Sequence, residues 1–219
     1  MRIDKKCVAP YNLKKGEYLK MVITIGREFG SGGRELGRLL AKALDIEFYD
    51  KEIIAEIAKH TELSEQYVKQ IIEKNPHELF PISVAHSFAY VDVYDIQQKQ
   101  KIFMEQEKVI KEMAETSDCV IVGRCADYIL KDFKPFRIFV YADMDSKVER
   151  CLARSDKAEE LPRKKLIRKI RAIDKNRARY YNYYTGGRWG DILNYDICIN
   201  TTDVNIADIV PHLAAMLKR

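Results

Sequence analysis

The stretch from Met21 to Leu44 restricts the fold more than any other part of the chain. A β-branched run, Met21-Val-Ile-Thr-Ile25, breaks at Gly26 and leads into Gly26-Arg-Glu-Phe-Gly30-Ser31-Gly32-Gly33-Arg34-Glu35. Leu36, Leu39, Leu40 and Ala43 then recur at helical spacing. A strand that turns through glycines into a helix gathers backbone N–H groups and a helix N-terminus at one point, where they can wrap a polyphosphate. Glycines suit that loop because side chains would hold a ligand off the backbone and resist positive φ angles. A ligand-free strand-to-helix turn is the plain alternative.

The rest of the chain extends this unit. Ile46-Glu-Phe-Tyr49 reads as a second strand that closes a βαβ crossover. Cys119–Val122, Phe136–Tyr141 and Tyr195–Ile199 are three more short apolar runs. Five such strands separated by helices predict an α/β fold, a parallel sheet with helices on both faces. Residues 51–114 read as a helical insertion, with breaks at Asn75-Pro76 and Phe80-Pro81 and a long helix over Gln97–Met113. The expected organisation is an extension over residues 1–20 and one domain over 21–219, with a basic segment at about 160–190.

Composition narrows the function classes. Apolar residues make up 47% and charged residues 32% of 219, and no apolar run is long enough to cross a bilayer. Lysines interrupt the first 20 residues, no signal-peptide pattern is present, and a cytoplasmic location is expected. Cys7, Cys119, Cys125, Cys151 and Cys198 form an odd set without a C-x-x-C pair, which suits reduced thiols better than a disulfide framework or a zinc site. The net charge of +5 is modest, but ten Lys or Arg residues fall between Arg163 and Arg188 against one acid, Asp174. A local anion site fits this better than a nucleic-acid surface.

The glycine loop departs from the pattern G-x-x-x-x-G-K-[ST]. With Gly33 as the second glycine, Arg34 stands where lysine would reach terminal phosphates and Glu35 where a hydroxyl would bind magnesium. With Gly32 as the second glycine, no cation occupies the lysine place, and Arg27 or a residue of the basic segment has to supply it. Sequence alone leaves both registers open.

Three later motifs join the loop. Phe48-Tyr-Asp50-Lys-Glu-Ile-Ile54 puts an aspartate after the second strand, and Val122-Gly-Arg124-Cys-Ala-Asp127 puts an arginine and an aspartate after the third. Asp174-Lys-Asn-Arg177 lies in the basic segment. In this order, with Gly30-Ser-Gly-Gly-Arg-Glu35, they resemble the phosphate loop, post-strand aspartate, Gly-Arg-Asp motif and lid signature of the cytidylate kinase-like family. The resemblance implies a P-loop kinase-like three-layer sandwich: a five-stranded parallel sheet, a helical substrate-binding insertion and a helical, arginine-bearing lid. It further implies ATP and Mg2+, and phosphoryl transfer to a nucleoside monophosphate, cytidylate-like, or to another small phosphate acceptor. Two departures stand out: the loop lysine is absent, and Cys125-Ala126 separate Arg124 from Asp127 where relatives have the two adjacent. They motivate a second reading, a nucleotide-binding sensor or interaction protein that keeps the fold with little or no catalysis. A homodimer is compatible with the long insertion; neither a membrane nor a nucleic acid is an expected partner.

The motifs distribute roles. Gly30, Ser31, Gly32, Gly33, Arg34 and Glu35 are the expected phosphate-binding residues. Asp50 is expected either to hold magnesium or to accept a proton, with helix capping as its alternative, and Glu35 is a second magnesium candidate. Asp50, Arg124, Asp127, Asp174 and Arg177 are the acceptor-binding candidates. Arg34, Asp50, Arg171 and Arg177 are the catalytic set, since phosphoryl transfer needs positive charge at the developing oxygens. Lys164, Arg168, Arg171, Lys175 and Arg179 share one helix face opposite Leu166, Ile170 and Ile173. Tyr180-Tyr181-Asn-Tyr183-Tyr184 is read as core packing or base stacking, and Asn200-Thr201-Thr202 as a turn or an adenine loop.

Overall fold

A computed structural model describes residues 20–73, 93–154 and 161–218. The N-terminal extension, apart from its last residue, and the Asn75-Pro76 and Phe80-Pro81 breaks lie outside the described residues. Five strands, β1 (Val22–Arg27), β2 (Glu47–Tyr49), β3 (Cys119–Val122), β4 (Phe136–Tyr141) and β5 (Ile197–Asn200), form one sheet in the order β2-β3-β1-β4-β5. Every pairing is parallel.

Strand alternation assigns each side chain to a face. Ile23 and Ile25 of β1, with Val120 and Val122 of β3 and Ile138 and Val140 of β4, pack in one cluster with α1 (Gly33–Leu44) and α8 (Ile206–Leu217). Val22, Cys119 and Ile121 face the opposite layer. That layer is built from α2 (Glu52–Thr61), α3 (Glu65–Glu73), α4 (Val93–Thr116) and the short α5 (Ala126–Ile129). Helix α6 (Met144–Ala153) carries the chain to α7 (Arg163–Thr185), whose Leu166 and Ile170 pack on Val148. The result is the expected α/β three-layer sandwich.

Several boundaries differ from the sequence reading. The fifth strand starts at Ile197, two residues after Tyr195, because Tyr195 closes the 3-10 turn Ile192–Asn194, its N–H donating to the Ile192 carbonyl at 3.2 Å. Helix α8 starts at Ile206, where the Asn205 side chain accepts the Ala207 N–H. The long helix of the insertion runs beyond both expected ends, over Val93–Thr116.

Candidate functional site

Two cavities open at the carboxyl edge of the sheet, the place where open α/β sheets bind ligands. The larger, about 730 Å³, lies over the glycine loop, and nine Lys or Arg side chains line it against three carboxylates. The smaller, about 330 Å³, lies behind the ends of β1 and β3 and is walled by Tyr180, Tyr181, Trp189 and Tyr195. Arg27, Phe29, Arg124 and Arg177 line both and form the boundary between them.

The loop settles into one register. Gly32, at φ 84°, is the N-cap of α1, and Gly33 is the first helical residue. Ser31 is buried and spends its side chain on the loop itself, its hydroxyl donating to the Glu28 carbonyl at 2.9 Å. Arg34 turns towards β2, where its Nε donates to Asp50 Oδ2 at 2.5 Å. Glu35 pairs with Arg154, the C-cap of α6, and lines neither cavity. Asp50 is 5% exposed and faces the larger cavity. The N-cap of α2 is Lys51, so the Asp50 carboxylate does not cap that helix.

Arg124 sits in an unusual backbone segment. Gly123, Arg124 and Cys125 have φ of 76°, 60° and 55°, three successive left-handed residues that lead from β3 into α5. Gln106, fully buried in α4, donates its amide to the Arg124 carbonyl at 3.0 Å and accepts the Tyr180 hydroxyl at 3.3 Å. The Arg124 Nε is buried without a hydrogen-bond partner among the described residues. A buried, charged donor left unpaired is costly, and the residue that carries it lines both cavities. Asp127, one turn on, accepts the Tyr181 hydroxyl at 2.7 Å and lines the smaller cavity. Burial pushes its carboxyl up from the ordinary 3.8.

Helix α7 bears on both cavities and on the loop. Arg177 lines the boundary, donates from Nη1 to the Arg27 carbonyl at 3.1 Å and lies over the Phe29 ring. Asp174 is placed differently from the acceptor-binding expectation. Its Oδ1 accepts the Phe29 N–H at 2.6 Å and its Oδ2 lies 3.4 Å from Lys147 Nζ, so it ties the helix to the loop. Burial raises its carboxyl above 3.8, with the Phe29 N–H and Lys147 opposing that rise. Arg171 is exposed and lines neither cavity. It is six residues from Arg177, which on a helix turns it to the outer face.

The aromatic run mostly packs. Tyr184 stacks on Phe103 of α4, with ring centroids 4.0 Å apart and planes 6° from parallel, while Tyr180 and Tyr181 are buried and also line the smaller cavity. The turn after β5 is stapled to the loop, since the buried Thr201 hydroxyl donates to the Ser31 carbonyl at 2.7 Å and Arg150 holds the Thr201 carbonyl. Gln106, Lys147 and Arg150 went unnoticed in the sequence. For Gln106 one signal was available, a polar residue on the same helix face as Ile102, Val109 and Ile110. No group of three or more His, Cys, Asp or Glu side chains among the described residues is placed to hold a metal ion. Among the described residues no helix is long and apolar enough to cross a membrane.

Among solved structures, the chain is similar to an uncharacterized protein from Eubacterium ventriosum at 29% identity and a TM-score of 0.66, over 90% of this chain and 98% of that one. It is also similar to shikimate kinase from Bacteroides thetaiotaomicron, at 15% identity and a TM-score of 0.53, over 90% of this chain and 98% of that one. Shikimate kinase from Acinetobacter baumannii, solved with shikimate, matches at 18% identity and a TM-score of 0.50, over 91% and 93%. At these identities the two kinases share the fold. A search of curated proteins gives no match. The model of the cytidylate kinase-like family matches residues 22–203.

Proposed function

This chain belongs to the cytidylate kinase-like family, and from that premise we propose that it transfers the terminal phosphoryl group of ATP to a nucleoside monophosphate, cytidylate-like, or to another small phosphate acceptor. One observation carries the reading: two cavities adjoin, and three guanidinium-bearing residues, Arg27, Arg124 and Arg177, form their shared boundary. Phosphoryl transfer asks the protein for positioning and for positive charge around the equatorial oxygens, and little covalent chemistry.

The larger cavity takes the triphosphate against the loop and the N-terminus of α1. The smaller takes the acceptor, with its planar part against Tyr181, Trp189 and Tyr195 and its polar edge towards Asp127 and Asn176. Arg124, which lines both cavities, offers its guanidinium to the acceptor phosphate. Asp50, held by Arg34, is the carboxylate of the larger cavity suited to take the acceptor proton or to hold magnesium through water. Bound magnesium neutralises charge on the triphosphate, and because it keeps several waters it needs no dense cluster of carboxylates. In this reading Asp174 and Lys147 position the lid helix and do not touch the acceptor.

A nucleotide-binding sensor without turnover is the second reading. It is favoured by Gly33 at the first helical position, where a lysine is usual. Coupled ADP release with ATP and Mg2+ over CMP, dCMP, UMP, AMP and GMP, with shikimate as a non-nucleotide comparison, separates the two. Acceptor-dependent turnover that falls by about 100-fold or more in Asp50→Ala supports the kinase, in line with the worth of a proton acceptor. ATP binding with silence on every acceptor supports the sensor.

A further inference from the structure

We propose that Arg27 is the cation of the phosphate loop: it opens the loop at the place of the usual first glycine, and Gly33 stands at the place of the usual lysine. The proposal rests on the kinase reading and deepens it by assigning the residue that takes the triphosphate. Since Gly32 caps α1, it is the last loop glycine, and five residues before it stands Arg27. Where the pattern reads G-x-x-x-x-G-K, this chain reads R-x-x-x-x-G-G, with glycine and cation exchanged.

The two positions exchange together for a steric reason. A Cβ added at Gly33 would stand 2.5 Å from the Arg27 Cβ and 3.2 Å from its Cγ. Side chains at 27 and 33 therefore compete for one space, and a loop of this shape holds one of them. The guanidinium runs on to the end of β3, where a Cβ at Gly123 would lie 2.7 Å from the Arg27 Cζ. Gly33 and Gly123 form a slot that fits the arginine along its length. The slot ends at the cavity boundary, so one planar fork reaches a donor oxygen on one side and the acceptor on the other. Arg34 lines the larger cavity alone and has its Nε on Asp50.

The test is calorimetric binding of MgATP and of inorganic tripolyphosphate to the full chain and to Arg27→Gly, Gly33→Lys, the double variant Arg27→Gly/Gly33→Lys, and Arg34→Ala. Thermal unfolding accompanies each titration. Arg27→Gly is expected to weaken both probes by about 10- to 100-fold, the worth of a lost charge-assisted pair. Gly33→Lys alone is expected to lose binding too, because its side chain collides with Arg27. The double variant restores the usual pattern and is expected to recover at least about tenfold over Arg27→Gly, which a purely structural role for Arg27 would not produce. Binding by Arg27→Gly equal to the parent, or a double variant no better than Arg27→Gly, overturns the assignment and leaves the kinase reading standing. A larger loss in Arg34→Ala than in Arg27→Gly overturns it as well. A parent chain that binds neither probe contradicts the kinase reading, and the assignment falls with it.

Discussion

Arginine and cysteine rarely adopt left-handed backbone angles, yet Arg124 and Cys125 both do, directly after Gly123. Each non-glycine residue there costs about 1–2 kcal/mol, and buried contacts from Gln106 and from the turn of α5 hold the segment in place. Strain of this kind at a cavity boundary aims the side chain, here the guanidinium whose Nε is unpartnered. Asp127 supplies a prediction at the same scale. Burial raises its carboxyl above 3.8, so the folded state keeps that proton longer than the unfolded chain does. Its contribution to stability is then full below the unfolded value and is lost as pH rises through the folded one. Asp127→Asn keeps an acceptor for the Tyr181 hydroxyl and removes this loss. Thermal unfolding over a pH series should show the variant gaining on the parent as pH climbs from about 3.8 to neutrality. A difference that stays flat with pH, or a variant less stable at pH 7, would contradict this. Of the residues at the cavities, Asp50, Arg124, Asp127 and Arg177 were legible because each belongs to a short pattern after a strand or within the basic helix. Gln106 and Lys147 were not, since a buried polar group is explained by a partner distant in sequence.

Helix α7 shows what periodicity can and cannot assign. Its outer cations were visible as a stripe, and Arg171 belongs to that stripe, while Arg177 shares the inner face with Ile170, Ile173 and Asp174. Asp174 itself bonds the glycine loop through the Phe29 N–H. Lys147 of α6 is 5% exposed and lies 2.6 Å from Glu28 Oε2 and 3.4 Å from Asp174 Oδ2, so one ammonium joins the loop, α6 and α7. Removing it leaves two half-buried carboxylates facing each other. Lys147→Ala should therefore cost about 3 kcal/mol in denaturant unfolding, the low end for a broken buried pair because both carboxylates keep some solvent. A cost under about 1 kcal/mol would place the cluster among ordinary surface ion pairs. The glycine loop gave a similar lesson. Its place between strand and helix could be read directly, but its register depends on which glycine takes the capping angle, and that becomes visible only with φ of Gly32 and the shared space of Arg27 and Gly33.

Across the whole molecule, the five parallel strands and their helical layers followed from short apolar runs spaced by amphipathic segments. Parallel strands buried on both faces leave few alternatives to that pattern. The cavities were hidden, because each is walled by elements far apart in sequence, from Gly26 to Tyr195 in the smaller one. Their contact along Arg27, Phe29, Arg124 and Arg177 is the centre of the functional reading, since it lets a donor and an acceptor be held at once with one charged boundary between them. An adenosine–cytidine conjugate joined through five phosphates tests this most directly, by calorimetry against ATP and CMP measured separately and together. The expected result is that ATP and CMP bind without competing and that the conjugate binds at least about tenfold more tightly than ATP, as linkage of two filled sites gives. Mutual exclusion of ATP and CMP, or a conjugate no tighter than ATP alone, would contradict two adjoining sites for phosphoryl transfer.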